Sequence, residues 1–168
     1  MTSGSVVAGD PAVGPWLRGA VAGDQERLRL WRNAAAGAFF QSAAIDAEAQ
    51  RRWFEGYLGR EEDFLFMVME AAEPRGCLGV RLVDGEWDVY NVIRGERTAG
   101  SRGAMGRGLE LLVDFARRRA KLPVRAVVLA GNPAIGWYER HGFAVVRRNP
   151  GSVVMRWKGA SALPVGES

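Results

Sequence analysis

A largely apolar run from Val124 to Ala130 leads into Gly131-Asn132-Pro133-Ala134-Ile135-Gly136-Trp137-Tyr138-Glu139-Arg140-His141-Gly142-Phe143, and no other stretch constrains the fold as much. The run reads as a buried strand. Gly131 turns the chain, Asn132 is a good N-cap, and Pro133 suits the first helical position because its missing N–H has no partner there. Gly142 stops the helix, and Phe143-Ala144-Val145-Val146 opens another strand. Strand, short helix and strand must then pack as one unit, with Tyr138 on the helix between them.

A second unit lies upstream. Glu86-Trp87-Asp88-Val89-Tyr90-Asn91-Val92-Ile93 reads as a strand, and a helix is expected from about Gly103 to Ala120, with Leu109, Leu111, Leu112, Phe115 and Ala116 available to pack. Between them lies Gly100-Ser101-Arg102-Gly103-Ala104-Met105-Gly106-Arg107-Gly108. A strand, a Gly-rich turn and a helix N-terminus make an anion site. The first amides of the helix lack partners, the dipole adds to their pull, and glycine lets a ligand approach the backbone. Asn91 is unusual inside a strand and suggests a broken ladder.

The remaining chain supplies the rest of one core. Trp16 to Val21 reads as a strand, and Asp24 as the cap of a helix carrying Leu28, Leu30 and Trp31. Asp46 caps a second helix whose apolar stripe is Trp53, Phe54, Tyr57 and Leu58. Phe64 to Met69 and Cys77 to Val83 read as strands, with Glu73-Pro74-Arg75-Gly76 as the turn between them and Asp84-Gly85 as a hairpin turn after them. Phe143–Arg147 and Ser152–Trp157 form the last pair. The pattern is that of an α/β (α+β) fold. Residues 1–14 and 159–168 are small and polar and are expected to be disordered, leaving one domain over 15–158.

These residues resemble the GNAT superfamily of N-acetyltransferases over about residues 15 to 157. Asn132, Ala134, Tyr138-Glu139 and Gly142-Phe143 resemble its acyl-CoA signature, with Asn132 one residue nearer the tyrosine than is usual. The family's phosphate loop runs Gln or Arg, two residues, Gly, one residue, Gly or Ala. One register centres it on Gly103-Ala104-Met105, with Gly100 in place of Gln/Arg and Met105 in place of the second small residue. The other uses Gly106-Arg107-Gly108 and puts Gly103 in the Gln/Arg place. Leu28-Arg29-Leu30-Trp31-Arg32-Asn33 resembles the "LRxWRN" opening of the branch that holds ribosomal-protein alanine acetyltransferases and amino-sugar acetyltransferases. That branch also carries an acidic cap and a Trp-Phe helix, here Asp46 and Trp53-Phe54.

The resemblance implies the GNAT fold, with a mixed central sheet of about six to seven strands flanked by about four helices. It implies acetyl-CoA, or another acyl-CoA, as co-substrate, and no metal. Arg102, Gly103, Ala104, Met105, Gly106 and Gly108 would hold its phosphates. Asn91, Val92 and Ile93 would pair with the pantetheine arm as an added strand, and Asn132 would contact that arm. Tyr138 would lie near the thioester sulfur. The base that takes the proton of an attacking ammonium would be Glu86, which aligns with a glutamate of that role in several members, or Asp88, two residues on and on the same strand face. Acceptor contacts would come from Phe39, Phe40, Gln41, Trp53 and the Asn149-Pro150-Gly151 turn. The acceptor is an amine-bearing small molecule or peptide, with protein N-termini and amino sugars both open.

Composition narrows the alternatives. A chain of 168 residues with 48% hydrophobic and 25% charged residues suits a soluble globular protein, and the reading places it in the cytoplasm. No apolar run reaches membrane-span length, so no membrane partner is expected. One cysteine, Cys77, and one histidine, His141, give no internal disulfide and poor material for a metal centre. The net charge of +4 admits nucleic acid as a partner. That partner ranks last, because Arg117-Arg118-Arg119 and Lys121 sit near a helix C-terminus where cations are favoured anyway. A CoA-binding module without turnover, a longer acyl donor and a homodimer stay open.

Overall fold

The computed structural model describes residues 5–39, 43–95 and 103–159. In chain order the elements are β1 (Val6–Ala8), β2 (Trp16–Gly19), α1 (Gln25–Ala34), α2 (Ala47–Leu58), β3 (Asp63–Glu70), β4 (Glu73–Val83), β5 (Glu86–Arg94), α3 (Ala104–Arg119), β6 (Val124–Leu129), α4 (Ala134–Arg140), β7 (Phe143–Asn149) and β8 (Ser152–Trp157). The strands form one eight-stranded sheet in the order β1-β2-β3-β4-β5-β6-β8-β7. Every neighbouring pair is antiparallel except β5 and β6. That parallel pair needs a crossover, and α3 provides it.

The sheet has more strands than the six to seven expected. The addition is β1, inside the segment expected to be disordered. Val6 pairs with Arg18 and Ala8 with Leu17. So short an edge strand carries no alternation for a sequence reading to find. Residues 1–4 and the tail from 160 onward lie outside the described residues.

Each face of the sheet has its own core. On one face α3 lays Leu109, Leu112 and Ala116 against Leu17, Val68, Leu78, Val80, Trp87 and Val89. The other face gathers Leu65, Met67, Cys77 and Ile93 under Leu28 and Trp31 of α1. Gly108 allows the close approach of α3, since a Cβ there would stand 2.9 Å from a Val68 methyl.

Local chemistry fixes the connections. Asp46 caps α2 as expected, its Oδ1 accepting the Ala49 N–H at 2.7 Å. Asp84 and Gly85 both take positive φ, at 50° and 77°, as a tight hairpin turn requires. Two expectations are corrected. The turn between β3 and β4 is Ala71-Ala72, because Glu73 already pairs with Glu70. Asp24 stands at the N-cap position of α1, but its side chain makes no cap bond; the carboxylate accepts the Val21 N–H at 2.8 Å and takes both Nη groups of Arg18 at 2.7 and 2.8 Å. Among the described residues no helix is long and apolar enough to cross a membrane.

Candidate functional site

The parallel pairing of β5 with β6 runs only from Trp87–Val89 against Val124–Ala126. Beyond Val89 the strands part. Gly79 pairs with Tyr90 and Cys77 with Ile93, so Asn91 and Val92 together face the single residue Leu78. This is a β-bulge, which bends its strand and raises the local twist. Asn91 carries it at φ 54°, a left-handed conformation that asparagine tolerates better than most residues. The Cys77 thiol donates to the Asn91 carbonyl at 3.4 Å and pins the bulge from the neighbouring strand. Meanwhile β6 continues along β8, from Val127 to Leu129. The facing edges of β5 and β6 are left with backbone groups that no strand satisfies among the described residues.

The gap opens into a cavity of about 640 Å³. Val89, Tyr90, Asn91 and Val92 line one side, Val127 and Val128 the other, and Asn132, Ala134, Trp137 and Tyr138 close it from the start of α4. Arg32, Phe39, Arg81, Asp88 and Arg125 complete the wall. Asn132 is held there, one residue before the N-cap Pro133, because its Oδ1 accepts the Ala134 N–H at 2.8 Å. That leaves its side-chain amide N–H groups for a ligand.

Tyr138 is 6% exposed. Its ring packs edge-on to Phe143 at 5.2 Å and to Trp137 at 5.0 Å between centroids. Burial pushes its pKa well above the ordinary phenol value, and the negative charge of Asp88 pushes it further. The phenol therefore keeps its proton at neutral pH and stands as a donor.

Gly103 precedes α3 at φ 86°, and the first satisfied helical amide is that of Arg107, bonded to the Gly103 carbonyl at 2.9 Å. The amides of Ala104, Met105 and Gly106 are the unpaired ones of the first turn. Of the two registers open in the sequence, this one puts backbone donors at an anion's disposal. Gly108 lies inside the helix against Val68 and Leu78, so its lack of a Cβ serves packing rather than phosphate approach. The Met105 side chain turns into the core against Gly76 and does not block the first turn. Gly106 seats the His141 ring, which a Cβ would meet at 2.5 Å; the end of α4 thereby rests on the start of α3. Arg102 lies outside the described residues.

The two carboxylates separate sharply. Asp63, Arg81, Asp88, Arg125 and Arg156 are successive cross-strand partners on β3, β4, β5, β6 and β8. Asp88 accepts from Arg81 Nε at 3.1 Å and from Arg125 Nε at 3.3 Å, and it borders the cavity. Glu86 does not border it. Arg156 holds the Glu86 carboxylate through Nη2 and through Nε at 2.8 Å, and Arg125 Nη1 approaches it at 3.3 Å. The geometry gives Glu86 the task of anchoring guanidinium groups.

Of the acceptor residues expected, Phe39 borders the cavity, with the Arg32 guanidinium 3.6 Å above its ring. Phe40 and Gln41 lie outside the described residues. Trp53 is placed away from the cavity: it stacks on Tyr57 at 5.6 Å and packs on the α1 core. The Asn149-Pro150-Gly151 turn links β7 to β8 and is absent from the cavity wall. Ile93 is buried on the α1 side, while Asn91 and Val92 face the gap. The sequence reading missed Arg81, Arg125, Tyr90 and Trp137. A signal for Arg81 was present, because a two-residue turn at Asp84-Gly85 sets Arg81 opposite Asp88.

No protein-family profile matches the chain, and no curated protein does. Solved structures do. One described as apo FdhC, a nucleotide-linked sugar GNAT, is 16% identical with a TM-score of 0.73, over 86% of this chain and 86% of that one. A ribosomal-protein-alanine N-acetyltransferase from Brucella melitensis is 21% identical, with a TM-score of 0.67 over 83% of this chain and 97% of that one. A spermidine N-acetyltransferase from Vibrio cholerae, in complex with CoA and spermine, is 16% identical, with a TM-score of 0.71 over 84% and 92%. The chain has the GNAT fold.

Proposed function

We propose that this GNAT-fold chain is an acyl-CoA-dependent N-acyltransferase that moves an acetyl group to a primary amine. The observation that carries the reading is the gap between β5 and β6, opened by the Asn91 bulge and closed by Tyr138. The bared backbone edge of β5 suits an extended amide-bearing arm, which adds to it as a strand. The free amides of Ala104, Met105 and Gly106 suit phosphates at the start of α3. Asn132 offers its amide N–H groups to the same arm.

The co-substrate supplies an activated acyl carbon. The residues supply the proton traffic and the charge stabilisation. Asp88 takes the proton of the acceptor ammonium, directly or through water. Its two described bonds use two of about four carboxylate acceptor positions, so it still has lone pairs for that proton. The amine nitrogen then bonds to the acyl carbon and releases its second proton to solvent as the carbon–sulfur bond breaks, and Asp88 passes the first proton on to solvent. Backbone N–H groups at the bulge stabilise the oxyanion that develops. Tyr138 gives its proton to the leaving sulfur and regains one from solvent. Cys77 takes no part: it is fully buried, and burial pushes its thiol up to about 12, far from the thiolate a nucleophile needs.

The test is titration with acetyl-CoA in a calorimeter, followed by release of free CoA in the presence of amines. Binding with release, of which a Tyr138→Phe variant lowers only the release, supports the reading. Binding without release from any amine leaves a CoA-binding module instead.

A further inference from the structure

We infer that the acceptor is a compact amine that itself carries an anionic group, a carboxylate or a phosphate, held by Arg81 and Arg125. This rests on the acyltransferase reading and names the substrate class of that site. Arg81, Arg125 and Arg156 share the carboxylates of Asp88 and Glu86, while Asp63, the cross-strand partner of Arg81, is engaged by Arg60 at 3.3 Å and by the Tyr90 hydroxyl. At the cavity wall itself Arg81 and Arg125 stand on either side of the single carboxylate of Asp88.

The donors are available. Arg81 meets Asp88 through Nε and lies over the Tyr90 ring at 4.4 Å, so among the described residues its Nη groups remain for a ligand. Arg125 uses Nε on Asp88 and Nη1 on Glu86, which leaves Nη2 among the described residues. A guanidinium fork matches carboxylate and phosphate oxygens in pairs, and stacking on Tyr90 fixes the fork of Arg81 in place.

These groups do not serve the phosphates of an acyl-CoA. The start of α3 stands beside the far end of β5, with Met105 against Gly76, whose cross-strand partner is Arg94. Asp88 is six residues earlier on the strand, roughly 20 Å away at ~3.3 Å per residue. The guanidinium groups instead flank the carboxylate that receives the acceptor amine, with neighbouring strands ~4.8 Å apart. An acceptor whose amine meets Asp88 thus brings its anion to Arg81 or Arg125 only if the two groups are a few bonds apart. A polycation such as spermidine meets like charge there.

The experiment compares serine with serine methyl ester and O-phosphoethanolamine with ethanolamine, with spermidine as the cationic control. Direct binding to the full chain and acetyl-CoA-dependent CoA release are both measured. In at least one pair the anionic member binds or turns over about tenfold better, and the pair that responds separates carboxylate from phosphate. Arg81→Gln removes the preference while acetyl-CoA binding persists, which reports an intact fold; Arg125→Gln repeats the test from the other side. Equal values within both pairs, a preference for spermidine, or no binding of either anionic probe overturns the inference. The binding arm reads even if no CoA is released, so failure of the acyltransferase reading is seen separately, as loss of acetyl-CoA binding and release.

Discussion

Burial holds the proton on the Tyr138 phenol, and the carboxylate of Asp88, which borders the same cavity, adds to that hold. The buried phenol is suited to give a proton, and the carboxylate at the same cavity is the group proposed to take one. The two sit on different elements, β5 and α4, which meet across the gap left by the parting of β5 from β6.

Tyr138→Phe keeps the ring and its contacts with Phe143 and Trp137 but removes the proton. We expect kcat to fall by ~10² to 10⁴ with acetyl-CoA affinity retained. Because the folded pKa lies above the ordinary value of 10.0, this phenol stays neutral below that pH. The wild-type rate should then show no alkaline decline assignable to Tyr138 up to about pH 10. A pH–rate profile with matched calorimetry checks both points, and an unchanged kcat in the variant removes Tyr138 from the mechanism.

Asp88→Asn and Glu86→Gln should part in their effects. Asp88 borders the cavity, and its loss as a base should cost ~10² to 10⁴ in kcat. Glu86 is held by Arg125 and Arg156 outside the cavity wall, so Glu86→Gln should leave kcat within a few-fold and show mainly in stability. Single-turnover rates alongside thermal unfolding separate these outcomes. The reverse pattern would return the base assignment to Glu86.

What the sequence showed and what it hid have a common physical origin. Asn91, Asp46 and Asp84-Gly85 are local signals, each a side chain or backbone preference acting within a few residues, and each appears in place; the α4 start lies one residue later than expected, with Pro133 as its N-cap. The Asp63-Arg81-Asp88-Arg125-Arg156 row is not local. It exists only through the register of five strands, and nothing near Glu86 in sequence shows that Arg156 will claim its carboxylate. The phosphate-loop register was ambiguous for a related reason. Gly106 and Gly108 look alike in sequence, yet one faces the His141 ring just after α4 and the other the Val68 side chain of β3.

Gly76→Ala should cost stability and loosen co-substrate binding together. A Cβ there would stand 2.4 Å from the Ile93 carbonyl oxygen and 2.5 Å from the Met105 sulfur. The carbonyl is backbone in a paired strand and cannot step aside. Overpacking of this kind typically costs ~1–3 kcal/mol. Because Met105 belongs to the first turn of α3, its displacement also shifts the amides offered to phosphate. Denaturant unfolding and acetyl-CoA titration of the variant check the two effects. A loss of stability with unaltered affinity would uncouple the first turn of α3 from binding.

Stability should fall as the solution is made alkaline, and Cys77 should begin the fall. Its side chain is fully buried, and burial raises its pKa from 9.0 to about 12. Between those values the unfolded chain has released the thiol proton and the folded chain still holds it. A folded state that binds the extra proton loses stability as pH rises, so the contribution is complete below about pH 9 and declines above it, by roughly 1 kcal/mol per pH unit. Tyr57, Tyr90 and Tyr138 also have raised values, but their ordinary value is 10.0, so they join only above that pH. The window from pH 9 to 10 thus isolates the thiol. Cys77→Ala loses the thiol bond to the Asn91 carbonyl and some packing, so it starts less stable at pH 7. Its stability should nevertheless change less than that of the wild type between pH 9 and 10. Chemical denaturation at half-unit steps of pH measures the slopes, and equal slopes for the two proteins would mean that the Cys77 thiol is not what titrates.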